Sequence, residues 1–210
     1  DFEPLTGLPG VRLVYLHESQ DLRGFRAVIL PGTKSTRSDL DWLAASRWRT
    51  RLLDYAAVGG HLLGICGGFQ MLGERVEDPS GVEGRSGTTE GLGLLPVTTV
   101  LQAPKTTTLT GFSWDGVPGR GYEIHMGRTD APQGLGLVAV HSRNGADCAD
   151  TDGCVGAHGR VLGTYLHGLF DEPAITRRWH AGHGLGDVLV ERLDGPAAHV
   201  RAPALSQHPT

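Results

Sequence analysis

Short runs of apolar residues, each cut off by turn formers, set the rhythm of this chain. Residues 11–16 (VRLVYL), 27–30 (AVIL) and 61–65 (HLLGI) are almost continuously apolar. Such runs predict strands buried on both faces, as in a parallel sheet. Between the second and third, residues 39–55 read as a helix, with Leu40, Leu43, Trp48, Leu52 and Leu53 available for an apolar stripe and Ser38 and Asp39 as start signals. The third strand runs straight into residues 66–73, which predict a sharp turn and another helix. Strand-like alternation broken by turns over about 91–140 predicts an antiparallel extension. Residues 159–165 predict a further strand, and Glu172-Pro173 opens a last helix with Pro in its first turn. This alternation predicts an α/β fold: an open, mostly parallel sheet with helices on both faces. In such sheets functional groups gather beyond the carboxyl ends of the strands, where Pro31, Cys66 and His167 all stand. Residues 1–10, punctuated by Pro and Gly, read as a linker-like start and suggest a piece excised from something longer. Residues 11–195 read as one domain, and 196–210 as a frayed tail.

Composition narrows this picture. A chain of 210 residues buries roughly 70% of its unfolded surface, enough for a core that holds a rigid site. A net charge of −4 argues against a nucleic-acid partner, whose footprint would be a basic face. No apolar run approaches the roughly 18 residues of a membrane span. Glycine, at 32 residues, is about twice its usual ~7% share, which predicts tight turns and close backbone approaches. Three cysteines are too few for a secreted disulfide framework, so a cytoplasmic location is expected. Cys148 and Cys154 lie too far apart for a structural zinc pair, so residues 147–154 read as an acidic surface loop and no metal is expected.

One turn carries chemistry. In Gly64-Ile65-Cys66-Gly67-Gly68, small residues flank a nucleophile between strand and helix, the grammar of a nucleophile elbow. A free Cys is most often an inert core residue. A thiol here instead meets the positive end of a helix dipole, and the Gly67 N–H points where an oxyanion would develop. Such a thiol needs a base that later acts as an acid, and His serves both roles. Ten histidines are present; His167 stands out because it ends a buried strand and precedes Gly168. Pro31-Gly32-Thr33 can turn a second backbone N–H toward the same oxyanion. Lys34 offers a cation for a carboxylate, although an exposed surface lysine is the ordinary expectation. The loop lacks Walker spacing, so ATP is not bound by that route.

Five stretches in order, residues 30–36 (LPGTKST), 64–73 (GICGGFQMLG), 78–84 (DPSGVEG), 121–127 (GYEIHMG) and 163–171 (GTYLHGLFD), resemble the glutaminase domain of cobyric acid synthases. Those are class I, triad-type glutamine amidotransferases with a flavodoxin-like fold. The resemblance implies Cys66 as nucleophile and His167 as acid/base. It implies Gly67 with Gly32 or Thr33 as the oxyanion hole, Gln70 as a glutamine contact, and His125 and Gly127 around the amino-acid end of the substrate. It also implies a partner: an N-terminal ATP-dependent synthetase domain or subunit holding ATP and Mg, which amidates a corrinoid acceptor with the ammonia, this domain needing no cofactor of its own. Many triad amidotransferases carry an acid two residues after the His; here, as in cobyric acid synthases, it is lacking and the position is Leu169, so a Cys–His dyad is expected, with Asp171 and Glu123 as weak candidates to orient the ring. An alternative with the same fold is the glutaminase subunit of a complex that amidates a peptidoglycan precursor (lipid II).

Overall fold

The structure is a computed structural model that describes residues 1–183 and 186–191; the expected tail at 196–210 lies outside them. The apolar runs assemble into a six-stranded sheet ordered Val11–Leu16, Gly186–Glu191, Ala27–Leu30, His61–Ile65, Val161–Thr164, Cys154–Val155, parallel except for the last strand. Alternate side chains of these strands feed two cores. Val28, Leu30 and Leu62 pack on one face with Leu40, Leu43, Trp48, Leu52 and Phe69 of the helices. Ala27, Ile29, Leu63 and Ile65 pack on the other with Phe2, Leu5, Ile175 and Trp179. Helices therefore cover both faces, as the unbroken apolar strands required. Each fully buried Leu or Ile contributes about 1.5–3 kcal/mol through removal from water.

Three elements differ from the sequence expectation. The predicted helix 39–55 is two helices, Thr36–Ala45 and Trp48–Ala57. Between them Ser46 Oγ donates back to the Trp42 carbonyl at 2.6 Å and Arg47 adopts φ 65°. A hydroxyl that bonds the preceding turn, followed by a left-handed residue, ends a helix whatever its apolar stripe. Residues 1–10 contain a helical turn, Glu3–Thr6, and bury Phe2 and Leu5 in the second core. The anticipated acidic loop 147–154 is corrected to an edge strand, Ala146–Asp152, followed by Cys154–Val155. Asp152 and Cys154 point inward there.

A second, antiparallel sheet runs Ala146–Asp152, Val138–Arg143, Thr106–Trp114, Val117–His125, Leu166–His167. It realises the expected extension, together with a small four-stranded sheet that includes Arg75–Asp78 and Arg128–Asp130. The chain passes from the first sheet to the second at Tyr165, between Val161–Thr164 and Leu166–His167. Asp152 secures this crossing: its Oδ2 accepts from the Thr164 hydroxyl and, at 3.0 Å, from the Tyr165 N–H. Burial pushes the Asp152 carboxyl up to about 6. No helix among the described residues is long and apolar enough to cross a membrane.

Candidate active site

Register brings the expected strand ends to one rim. Leu30 pairs with Gly64 and Thr164 with Ile65, so Pro31, Cys66 and Tyr165 follow at the same level. Cys66 sits between strand His61–Ile65 and helix Gly67–Leu72 with φ 54° and ψ −111°. Such a backbone is strained for a non-glycine residue and persists only where its surroundings fix it. The surroundings are tight: a Cβ on Gly68 would fall 2.0 Å from the Leu30 carbonyl oxygen, and one on Gly64 2.6 Å from the Gly68 backbone. The Cys66 N–H also donates to the Thr164 carbonyl at 2.8 Å. Its Sγ, nearly buried, lies 3.4 Å from the Ile124 carbonyl.

Gly32 lies close to the side chains of both Cys66 and His167. A Cβ there would be 3.3 Å from His167 Cε1 and 3.4 Å from Cys66 Cβ. The Thr33 nitrogen lies against Gly67, 2.9 Å from where a Gly67 Cβ would stand. The two backbone amides expected to face an oxyanion are thus neighbours beside the thiol. Asp39 fixes this loop: the Thr33 hydroxyl donates to Asp39 Oδ2 and accepts the Ser35 N–H at 3.1 Å. Burial pushes the Asp39 carboxyl up, against the Thr33 bond, and the charge of Glu83 adds to the rise.

His167 has an orienting partner that sequence reasoning missed. Its Nδ1 lies 2.7 Å from Asp1 Oδ2, while Asp1 Oδ1 accepts the Gly168 N–H at 3.0 Å. Its Nε2 is buried and has no hydrogen-bond partner among the described residues. A carboxylate on Nδ1 fixes the tautomer with the proton there and leaves the Nε2 lone pair available. The Tyr122 ring stacks on the imidazole at 5.0 Å and 10°. The expected dyad is therefore replaced by a Cys–His–Asp arrangement. Asp171 makes no hydrogen bond to the ring, and Glu123 is engaged elsewhere. Burial would raise the Glu123 carboxyl, but His125, Thr110 and Arg143 hold it below its ordinary range. Nothing in the sequence pointed to Asp1, because its contact depends on how the chain start packs.

A cavity of about 320 Å³ at Cys66 is lined also by Gln70, Ile124, His125, Met126, Glu83, Lys34 and Lys105. Gln70 is 3% exposed; its Oε1 accepts from Thr36 Oγ1 at 2.9 Å, and its Nε2 donates to the Met126 carbonyl and Tyr165 Oη. Both of its N–H groups are committed to the wall. His125 stacks on Tyr165 at 3.7 Å, and its Nδ1 lies 3.1 Å from the Gly127 carbonyl. Gly127 does not line the cavity. With φ 92° it turns the chain, and a Cβ there would be 2.4 Å from the Val100 carbonyl oxygen.

A strained Cys66 turn, an imidazole held by a carboxylate and a Thr33 nitrogen beside Gly67 on an α/β rim fit the glutamine amidotransferase class. Comparison with known proteins narrows this. Residues 1–175 match the CobB/CobQ-like glutamine amidotransferase domain, and the chain belongs to that family. It is 45% identical over 182 residues to cobyric acid synthase from Chlorobium phaeobacteroides, covering 85% of this chain and 36% of that protein. It is 44% identical over 209 residues to cobyric acid synthase from Jannaschia, covering 95% and 42%. The chain thus spans about two fifths of the length of the curated relatives it matches. Among solved structures, PurLQS from Thermotoga maritima matches with a TM-score of 0.54 at 17% identity over 77% of this chain and 78% of that one. The fold is that of the class I glutamine amidotransferases, and the chain is an enzyme of glutamine amidotransferase type.

Proposed function

We propose that the chain hydrolyses glutamine through a thioester on Cys66 and supplies ammonia for ATP-dependent amidation of a corrinoid carboxylate in cobalamin biosynthesis. The observation that carries the reading is that the space a Cβ on Gly32 would fill is bounded by both Cys66 and His167. It brings nucleophile, proton shuttle and amide-bearing loop to one point. In this reading the Cys66 sulfur attacks the side-chain amide carbon of glutamine while His167 Nε2 takes the thiol proton. The Gly67 and Thr33 N–H groups hold the oxyanion, a role worth about 3–4 kcal/mol per donor in comparable sites. The imidazolium returns its proton to the departing nitrogen, ammonia leaves, and a glutamyl thioester remains. His167 then deprotonates a water that attacks the thioester, releasing glutamate and restoring the thiol. Asp1 holds the ring throughout and compensates its charge. In this reading ATP and Mg would be held by a partner synthetase domain, and this domain would need no cofactor of its own. The corrinoid acceptor is carried by the match to cobyric acid synthases.

The test is intact mass after treatment with a diazoketone analogue of glutamine. One adduct in the parent chain and none in Cys66→Ser supports the reading. No adduct, with or without the synthetase part of a full-length relative, overturns it.

A further inference from the structure

Thr164 joins the two segments that deliver the reacting side chains. Its carbonyl accepts the Cys66 N–H at 2.8 Å, at the strained turn, and its Oγ1 accepts the Leu166 N–H at 3.1 Å, one residue before His167. What fixes Thr164 is a carboxylate from another strand. Asp152 Oδ2 accepts from the Thr164 hydroxyl and, at 3.0 Å, from the Tyr165 N–H. Thr164 is fully buried and Asp152 is 7% exposed. The backbone of Asp152 is anchored in turn: its carbonyl accepts the Leu137 N–H at 2.9 Å, and it pairs with Val138 at the end of strand Ala146–Asp152. Gly153 follows with φ 81°, and a Cβ there would fall 2.2 Å from the Gly163 carbonyl oxygen. The end of this strand thus lies against the strand that carries Thr164, an approach that glycine permits. Asp152 does not line the cavity at Cys66. Burial pushes its carboxyl up only to about 6, so at neutral pH it is ionised and its oxygens only accept. A buried charge costs stability, and the bonds this one makes run to the crossing between the two sheets.

We propose that Asp152 is a positioning residue for amide cleavage: through Thr164 it holds the Cys66 turn and the His167 strand in one register, so that thiol and imidazole meet. The inference rests on the glutaminase reading and assigns to its rate a residue of an outer strand. Asp152 makes no hydrogen bond to either reacting side chain. It acts through a hydroxyl that is donor and acceptor at once. With its proton given to the carboxylate, Thr164 Oγ1 keeps its lone pairs for the Leu166 N–H. Without the carboxylate that hydroxyl has no fixed rotor, and the Tyr165 N–H is buried without its acceptor. A misplacement of about 1 Å between reacting groups costs on the order of 10²-fold in rate. Gln70 and His125, which line the cavity, are held through the Tyr165 side chain instead. Its Oη bonds Gln70 Nε2 and is braced by Thr129 Oγ1, and its ring stacks on His125. Loss of Asp152 is therefore a loss in kcat rather than in KM.

The experiment measures glutamate release per intact site in the parent chain, Asp152→Ala, Asp152→Asn, Thr164→Val, Thr164→Ser and the double variant Asp152→Ala/Thr164→Val. Sites are counted as the chain alkylated at Cys66 by saturating diazoketone, so unfolded chain drops out of the rate. Expected is a fall in kcat per site of about thirtyfold or more in Asp152→Ala and about tenfold or more in Thr164→Val, with KM within about threefold in both. Asp152→Asn keeps an oxygen for both donors and Thr164→Ser keeps the hydroxyl, so each stays within about fivefold of the parent. The double variant loses no more than Asp152→Ala alone, because both changes cut one chain of bonds. A merely structural acid would lower the melting temperature and the number of sites and leave kcat per site unchanged. A kcat per site within about threefold of the parent in Asp152→Ala, a loss confined to KM, or losses that multiply in the double variant overturn the assignment and leave the glutaminase reading intact. If Asp152→Ala yields no labelled chain, Thr164→Val decides by the same limits. A parent chain that is neither labelled nor releases glutamate overturns both.

Discussion

Replacing Asp1 with Asn tests how the imidazole is held. Both Asp1 oxygens are in use: Oδ1 accepts the Gly168 N–H at 3.0 Å and Oδ2 faces His167 Nδ1 at 2.7 Å. Asparagine has one oxygen. If it keeps the Gly168 bond, its NH₂ faces Nδ1, which must then accept, and the ring proton moves to Nε2. His167 Nε2 is buried without a partner among the described residues, so the proton would block the atom that, in the proposed mechanism, takes one from Cys66. Reversing a catalytic tautomer in this way costs about 10²–10⁴ in kcat, or roughly 3–5 kcal/mol of transition-state stabilisation. The assay is steady-state glutamate release with separate kcat and KM. KM is expected to stay within about threefold, because Asp1 does not touch the cavity. A melting temperature unchanged by more than a few degrees excludes simple unfolding of the chain start, and Asp1→Glu is expected to restore part of kcat. A kcat within threefold of the parent would refute the argument.

Thr33→Val removes the hydroxyl that Asp39 holds, leaving a buried carboxyl unpaired. We expect about a tenfold loss in kcat with little change in KM, and a loss confined to KM would refute a role in placing the loop. Gly68→Ala drives a methyl to 2.0 Å from the Leu30 oxygen; urea denaturation should show a loss of about 3 kcal/mol, an overpacking cost. Asp152 titrates at about 6 in the fold against 3.8 as its ordinary value, so the folded chain binds more protons between those values. Stability should fall as pH rises through that window, by about 3 kcal/mol in total, and Asp152→Asn should flatten the slope of unfolding free energy against pH. An unchanged slope in the variant would count against Asp152 as its source. Tyr165→Phe strips Gln70 Nε2 of one acceptor and should cost about 1–3 kcal/mol by the same denaturation assay; no change would mean water replaces it.

The parts of the site that were legible are those whose logic is local. A strand, a small residue, a thiol and two glycines can be read as an elbow from five positions, since the backbone at Cys66 demands small neighbours on either side. His167 was legible because it ends a buried run that pairs with the strand carrying Cys66. Asp1 and Tyr122 were not, because both reach the imidazole through packing between distant segments. The dense turn formers of residues 1–10 masked the two apolar side chains, Phe2 and Leu5, that dock the chain start. The split at Ser46 and Arg47 was hidden for the opposite reason: the apolar stripe continues across it while the backbone does not. Asp152 lay in plain view within residues 147–154, but what it holds follows from a burial that no pattern announces.

The bond between Asp1 and His167 joins positions 166 residues apart. Contacts of that span require most of the chain to be in place before they form, since loop closure must be met before the contact rewards it. The elbow and its short helix are local and can organise early. An oriented imidazole therefore reports the finished fold: in refolding, helical signal is expected to return first and glutaminase turnover last, with a proficient site appearing only once residues 1 and 167 have met.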